Sequence, residues 1–364
     1  MGWVGVSIGL RWLLGWFLAM RLSLLPEGRP ALLRSVSVLI PARDEEDTLS
    51  HLLAALGRQT FQPMEIIVVD DQSSDATAEI ARQAAVDLPV RVIQPPPLAA
   101  GWCGKTWALH HGVRSSLGEI LVFMDADTEP GEEFLERLLA QQEQLGGLVS
   151  VQPYHRTEKP FEQLSVLFNL VGLMAVPMGV ACGVAFGPAM VTSRADYERS
   201  GGHAAVAGKV VEDWFLGHAY EQADLPVSAF IGFGQIDYRM YPGGLRDMVV
   251  GFDKNFATAA GEVCWPRMLA VLLWLSGLFW AAWCLPAALL GWPLVGDPSV
   301  FANAVIYAAY AIQLLVITRR VGRFGWINLL FPIPVLFFLA VFLLAILNLK
   351  RGRVSWKGRT FLTR

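Results

Sequence analysis

The sequence predicts an α/β domain with a mostly parallel sheet, set between apolar helical ends, and three observations predict it. Strand-like and helix-like runs alternate from about Arg34 to Glu262, the pattern of βα units that cover both faces of a sheet. Acidic residues recur at the carboxyl ends of those strands, where ligands collect in sheets of this kind. The composition is 54% hydrophobic with a mean hydropathy of +0.43, too apolar for a simple soluble enzyme, and the long uncharged runs lie at the two ends.

Four runs approach the roughly 20 apolar residues a helix needs to cross hydrocarbon: Gly2 to Leu25, Met268 to Leu290, Val300 to Thr318 and Ile327 to Leu349. The first has no basic n-region, carries Arg11 inside it and lacks a small-x-small cleavage site, so it reads as a retained anchor over residues 1–25. Arg21 at its end and Arg29 and Arg34 just after it place the N-terminus outside and the central domain in the cytoplasm of a multi-pass cell-membrane protein. Three C-terminal crossings over 267–349 would leave the tail outside. Yet Lys350 to Arg364 holds six basic residues and no acid, an inside signal. One C-terminal run is therefore re-entrant or interfacial, with Pro286, Pro332 and Pro334 as the visible interruptions. The four cysteines have no paired spacing, which fits reduced thiols and argues against a disulfide frame or a zinc site.

Within the 34–262 domain, Val36 to Ile40 is a β-type run that breaks at Pro41-Ala42-Arg43-Asp44-Glu45. Leu49, Leu52, Leu53 and Leu56 then mark one buried helical face. Glu65 to Val69 is the second strand, followed by Asp70-Asp71 and a helix that Ser73 or Ser74 is placed to cap. Val90 to Ile93, a helix from about Lys105 and the run Ile120 to Met124 come next. The last of these strands runs straight into Asp125-Ala126-Asp127. Two acids at i and i+2 crowd each other if the strand continues and converge if it turns. A hard divalent cation, Mg²⁺ or Mn²⁺, relieves either arrangement; the alternative is a solvated turn. Leu164 to Val191 is uncharged over 28 residues, but Pro177 and Pro188 and several glycines interrupt it. The 160–191 stretch reads as an interfacial or acceptor-facing segment, with a true crossing as the alternative.

Further chemistry could reside in three more places. The loop Gly101-Trp102-Cys103-Gly104-Lys105 offers a cation at a helix start, suited to a diphosphate, without the spacing of a Walker loop. Glu212-Asp213 heads an amphipathic stretch, and a carboxylate there could serve as a general base or simply favour the helix N-terminus. Trp356-Lys357-Gly358-Arg359 lies in the basic tail, whose plain reading is a membrane-surface patch. The six histidines show no ligand spacing.

Taken in order, Asp44-Glu45, Asp70-Asp71 with Ser73-Ser74-Asp75, Gly104-Lys105, Asp125-Ala126-Asp127 and Glu212-Asp213 resemble family-2 glycosyltransferases of the GT-A fold. The loop before Lys105 and the Trp356 to Arg359 tail are similar to those of membrane members that act on carotenoids, hopanoids and, more distantly, ceramide. The resemblance implies an inverting transfer of one sugar, glucose in this reading, from a UDP-sugar to a lipid acceptor, with no nucleic-acid partner. It assigns Asp44 or Glu45, and Asp71, to the uridine, alongside Pro41, Ala42 and Arg43. Lys105, Ala126 and Glu212 would line the nucleotide-sugar site, Asp125 and Asp127 would hold Mg²⁺ or Mn²⁺, and Asp213 would be the base. A processive Gln/Arg-x-x-Arg-Trp motif is missing; Gly251-Phe252-Asp253-Lys254 stands there instead. That argues against polymer synthesis and leaves Lys254, or Lys357 and Arg359, to supply a cation for the diphosphate. Transfer to a polyisoprenyl phosphate, and a silent nucleotide-sugar-binding protein, are the competing readings.

Overall fold

The computed structural model describes residues 2–209, 211–259, 263–292, 299–350, 353–356 and 359–362. The chain forms two compact units: residues 23–154 with 177–239, and residues 1–22 with 155–176 and 240–364.

The first unit is the α/β domain. Its sheet has seven strands: β1 (Val36–Ala42), β2 (Glu65–Asp70), β3 (Val90–Ile93), β4 (Ile120–Met124), β5 (Leu148–Gln152), β6 (Ala189–Ser193) and β7 (Val227–Ile231). They lie in the order β3-β2-β1-β4-β6-β5-β7. β1 to β4 are mutually parallel, β5 and β7 are parallel to each other, and β6 runs antiparallel to both its neighbours. Alternation along β1 explains the two layers. Val36, Val38 and Ile40 join a core with Leu52, Leu53 and Leu56 of α1 (Leu49–Gly57) and Phe134, Leu135 and Leu138 of α4 (Phe134–Leu145). Leu39 faces the other way, onto Ala108, Leu109 and Val113 of α3 (Gly104–Ser115) and Leu216 and Tyr220 of α5 (Glu212–Gln222). The remaining helix used below is α2 (Thr77–Ala84).

Two sequence expectations change here. β1 does not break at Pro41 but pairs through it to Ala42, opposite Val69 and Asp70 of β2. Its ladder to β4 ends at Leu39, so Pro41 lies where the strand is paired on one side only and the missing N–H is tolerated. Neither Ser73 nor Ser74 caps α2: Asp75 Oδ1 instead accepts from Thr77 N (3.0 Å). The serines are engaged with Asp44.

The second unit is mostly helical. Trp265–Leu289 (25 residues) and Val300–Thr318 (19 residues) are long and apolar enough to cross a membrane; the helices of the first and last runs, Gly2–Ala19 and Pro332–Lys350, contain shorter apolar stretches. Pro286 does not interrupt its helix: it lies inside Trp265–Leu289, three residues before the last helical residue. Pro332 starts the last helix, which explains why that run does not begin its helix at Ile327. The helix in the 164–191 stretch, Val166–Ala175, has 10 residues and stops before Pro177, too short for a straight crossing. Buried Gln313 ties three helices together: its amide donates to Trp12 O (2.7 Å) and its Oε1 accepts from Trp274 Nε1 (3.0 Å).

Candidate functional site

β4 delivers its chain to the carboxyl edge of the sheet as five fully buried residues, and the strand stops at Met124. The next residues turn. Asp125 O accepts from Thr128 N (3.1 Å) and Thr128 Oγ1 (2.7 Å), so Asp125 and Asp127 leave the sheet on a tight bend rather than along a continuing strand. Because β6 runs opposite to β4, with Ala189 paired to Met124, the segment leading into β6 reaches this same edge. Asp125 N donates to Pro188 O at 2.9 Å.

Two helix starts complete the cluster. Lys105, in the first turn of α3, places Nζ 2.8 Å from Asp125 Oδ1, 3.1 Å from Asp125 Oδ2 and 2.9 Å from Glu212 Oε1 in the first turn of α5. Asp213 Oδ2 accepts from Gly187 N (2.8 Å), and its Oδ1 accepts from Trp214 N (2.9 Å). Gly187 fits this position because it lacks a side chain. A Cβ there would lie 3.2 Å from both Asp213 Oδ2 and Lys105 Nζ.

The electrostatics follow from putting many carboxylates beside one lysine. Burial opposes charging of Lys105, but Asp125 and Glu212 outweigh it and hold its ammonium well above the usual range. Burial raises Asp125, and Glu212 and Glu45 add to the rise against the pull of Lys105. Asp127 is pushed up to about 7, by burial first and then by Asp125 and Glu45. Asp213 is pushed up to about 6 by burial and Glu212, against Lys105 and its two backbone donors. Carboxylates raised in this way mark an edge short of positive charge. Among the described residues, no group of three or more His, Cys, Asp or Glu side chains could enclose a metal ion. Carboxylate oxygens are the donor type a hard cation takes, and one or two of them suffice where a bound phosphate supplies further oxygens.

The neighbouring β1 and β2 ends are built differently. Asp44, at φ 52°, accepts from Ser74 N (2.7 Å) and Ser74 Oγ (3.1 Å), while its own N–H donates to Ser73 Oγ (3.1 Å). Glu45 N donates to Thr77 Oγ1 (2.8 Å), and Glu45 Oε2 accepts from Thr48 Oγ1 (3.0 Å). Arg43 Nη1 lies 3.3 Å from Asp71 Oδ2, and Asp71 N donates to Ala42 O (2.9 Å). Asp70 accepts from Ser73 N (3.0 Å) and Gln94 Nε2 (2.9 Å).

Of the residues singled out from sequence, Lys105, Asp125, Glu212 and Asp213 converge, with Ala126 buried in the bend and Asp127 and Glu45 in the same field. Pro41, Ala42, Arg43, Asp44 and Asp71 line the adjoining strand ends. Lys254 belongs to the helix Leu245–Ala259 of the other unit, and Arg359 opens a strand, Arg359–Leu362, of that unit. Lys357 lies outside the described residues. Sequence reasoning missed Gly187, Pro188 and Gln94. Gly187-Pro188 reads in the sequence only as a helix-breaking pair, since its partners are 26 or more residues away along the chain.

Residues 37–176 match the family described as glycosyl transferase family 2. The chain is 35% identical over 342 residues to a 4,4'-diaponeurosporenoate glycosyltransferase of Staphylococcus haemolyticus, covering 90% of this chain and 88% of that one. It is 33% identical over 344 residues to the protein of the same name from Staphylococcus aureus, with the same coverage of 90% and 88%. Among solved structures, a mannosyltransferase from Pyrobaculum calidifontis in complex with GDP-Man and Mn²⁺ aligns with a TM-score of 0.59 at 16% identity, covering 95% of this chain and 97% of that one. That likeness concerns the fold.

Proposed function

This chain belongs to glycosyl transferase family 2 and is a glycosyltransferase, and on that premise we propose that it moves one hexose from a UDP-sugar to a carotenoid-type lipid at the cytoplasmic face of the cell membrane. The observation that carries the proposal is the convergence of Lys105, Asp125, Glu212 and Asp213 from three separate segments at one sheet edge. In this reading Asp44 or Glu45, with Asp71 and the Pro41-Ala42-Arg43 strand end, receives the uridine, and UDP-glucose is the donor to test first. Lys105, Ala126 and Glu212 line the diphosphate and sugar.

Asp125 and Asp127 would hold the divalent cation, Mg²⁺ or Mn²⁺, and when bound it supplies Lewis-acid stabilisation of the departing diphosphate. Asp213 takes the acceptor's proton. The acceptor oxygen bonds to the anomeric carbon from the face opposite UDP, the bond to the diphosphate oxygen breaks, and the configuration inverts. Burial and Glu212 raise Asp213 toward neutrality, which strengthens it as a base while Gly187 N–H aims it. Lys254, or Lys357 and Arg359, is proposed from sequence position alone as a further cation for the diphosphate. The two long apolar helices support membrane attachment of the chain.

A second reading of the proton step is favoured by the relatives' name, which denotes a carboxylate acceptor. A carboxylate arrives ionised and needs no proton removed. One experiment addresses both readings: purified protein is incubated with UDP-glucose, Mn²⁺ and either a carotenoid acid or a hydroxylated lipid, with products identified by mass. A glycosylated lipid appearing with UDP release is the expected result, and its absence with every lipid class would sink the proposal. Asp213→Asn then separates the readings, because turnover drops by roughly 100-fold or more if the base is needed and stays close to wild type if the acceptor is already an anion.

A further inference from the structure

We infer that Lys105 is an exchangeable counter-ion: its ammonium occupies the carboxylate a divalent cation would need, and an arriving diphosphate draws it away. The inference rests on the metal-dependent reading above. Lys105 Nζ contacts both oxygens of Asp125, at 2.8 and 3.1 Å, and Glu212 Oε1 at 2.9 Å. Asp125 is thus held on both oxygens by the ammonium, and a metal ion reaching the same oxygens must either displace Lys105 or sit against its positive charge. At these separations like charges repel by several kcal/mol even at a surface-like dielectric of ~20.

The surroundings of Lys105 are compatible with the exchange. On one side the ammonium is walled by backbone, since a Cβ at Gly187 would lie 3.2 Å from Nζ. The Lys105 side chain is nonetheless 31% exposed, so solvent reaches it. Lys105 heads α3 with four rotatable bonds, so its ammonium can swing from carboxylate to phosphate without moving the helix. A diphosphate offers that ammonium new anionic partners and brings oxygens that complete the cation's shell. Nucleotide and metal therefore bind cooperatively: each makes room for the other, and the coupling runs equally in both directions.

The test uses the full-length protein in detergent. Mn²⁺ binding is titrated by the electron paramagnetic resonance signal of free Mn²⁺, with and without UDP, for wild type and Lys105→Met. Wild type is expected to bind Mn²⁺ weakly alone and at least fivefold more tightly with UDP, the lower end of typical coupling. Lys105→Met is expected to bind Mn²⁺ alone about tenfold more tightly than wild type and to lose most of the UDP enhancement. Equal or weaker nucleotide-free affinity in Lys105→Met overturns the inference while leaving the metal reading intact, provided wild type binds Mn²⁺ in the presence of UDP. No Mn²⁺ binding by wild type even with UDP overturns both. Should Lys105→Met fail to fold, judged by circular dichroism, Lys105→Gln gives the same comparison, because its amide keeps a donor for the carboxylates without the charge.

Discussion

Two acidic groups sit along one sheet edge, and they differ in what their carboxylates already touch. At the ends of β1 and β2, the acids are engaged by local donors: Asp44 by Ser74, Asp70 by Ser73 and Gln94, and Asp75 by Thr77 and the N–H of Glu46. Burial would raise Asp75, but those donors outweigh it and leave its carboxyl below the usual value. Around the end of β4, Asp125, Asp127 and Asp213 face other carboxylates and one lysine, and all three are raised. The first group shapes loops by hydrogen bonding. The second gathers acids whose charged forms are disfavoured by burial and by one another, and perturbed carboxylates of this kind cluster at functional sites.

If that contrast is right, the largest loss comes from the second group. Asp127→Asn should cost roughly 100-fold or more in UDP release, with a fold unchanged by circular dichroism and no recovery on adding Mn²⁺; near-wild-type turnover would collapse the distinction. Asp213→Asn should cost roughly 100-fold in kcat with a hydroxyl acceptor. Its pH behaviour carries a sign. With Asp213 raised to about 6, the base is protonated below that value, so kcat/KM should fall as pH drops through about 6 and stay level above it. The acid limb should be absent in Asp213→Asn, measured on whatever residual rate remains.

A smaller effect is expected where only positioning changes. Gly187→Ala places a methyl 3.2 Å from Asp213 Oδ2 and Lys105 Nζ, so the neighbours must give by a few tenths of an ångström. A loss of about tenfold in kcat, with little change in KM for the donor, is expected for a displaced catalytic group. The smallest effect on chemistry is expected at Asp75 of the first group, which has no place at the nucleotide in the proposed reading. Asp75→Ala removes the acceptor for Thr77 N, Thr77 Oγ1 and Glu46 N and should lower stability by about 1–2 kcal/mol, read as a drop in thermal midpoint. Turnover at low temperature should change by no more than a few-fold. An Asp75→Ala defect as deep as that of Asp127→Asn would show that Asp75 serves the reaction directly.

The sequence by itself determined the α/β class, the order of the strands along the chain, and the placement of acids after β1, β2 and β4. These follow from short-range physics: alternation sets which faces are buried, and a charged pair after five buried residues must lie at an edge. It also identified Lys105, Glu212 and Asp213 as helix-start residues, because first-turn positions are legible from local pattern. Tertiary structure alone decided what those residues meet. The reversed direction of β6 brings Gly187 and Pro188 to the end of β4, where one backbone N–H aims Asp213 and one carbonyl anchors Asp125. A strand's direction in the sheet is set by packing between segments far apart in sequence, and no local periodicity records it. For the same reason the pairing of Lys105 with Asp125 and Glu212, across 20 and 107 residues of chain, could be found only once the sheet had brought three separate segments to one edge.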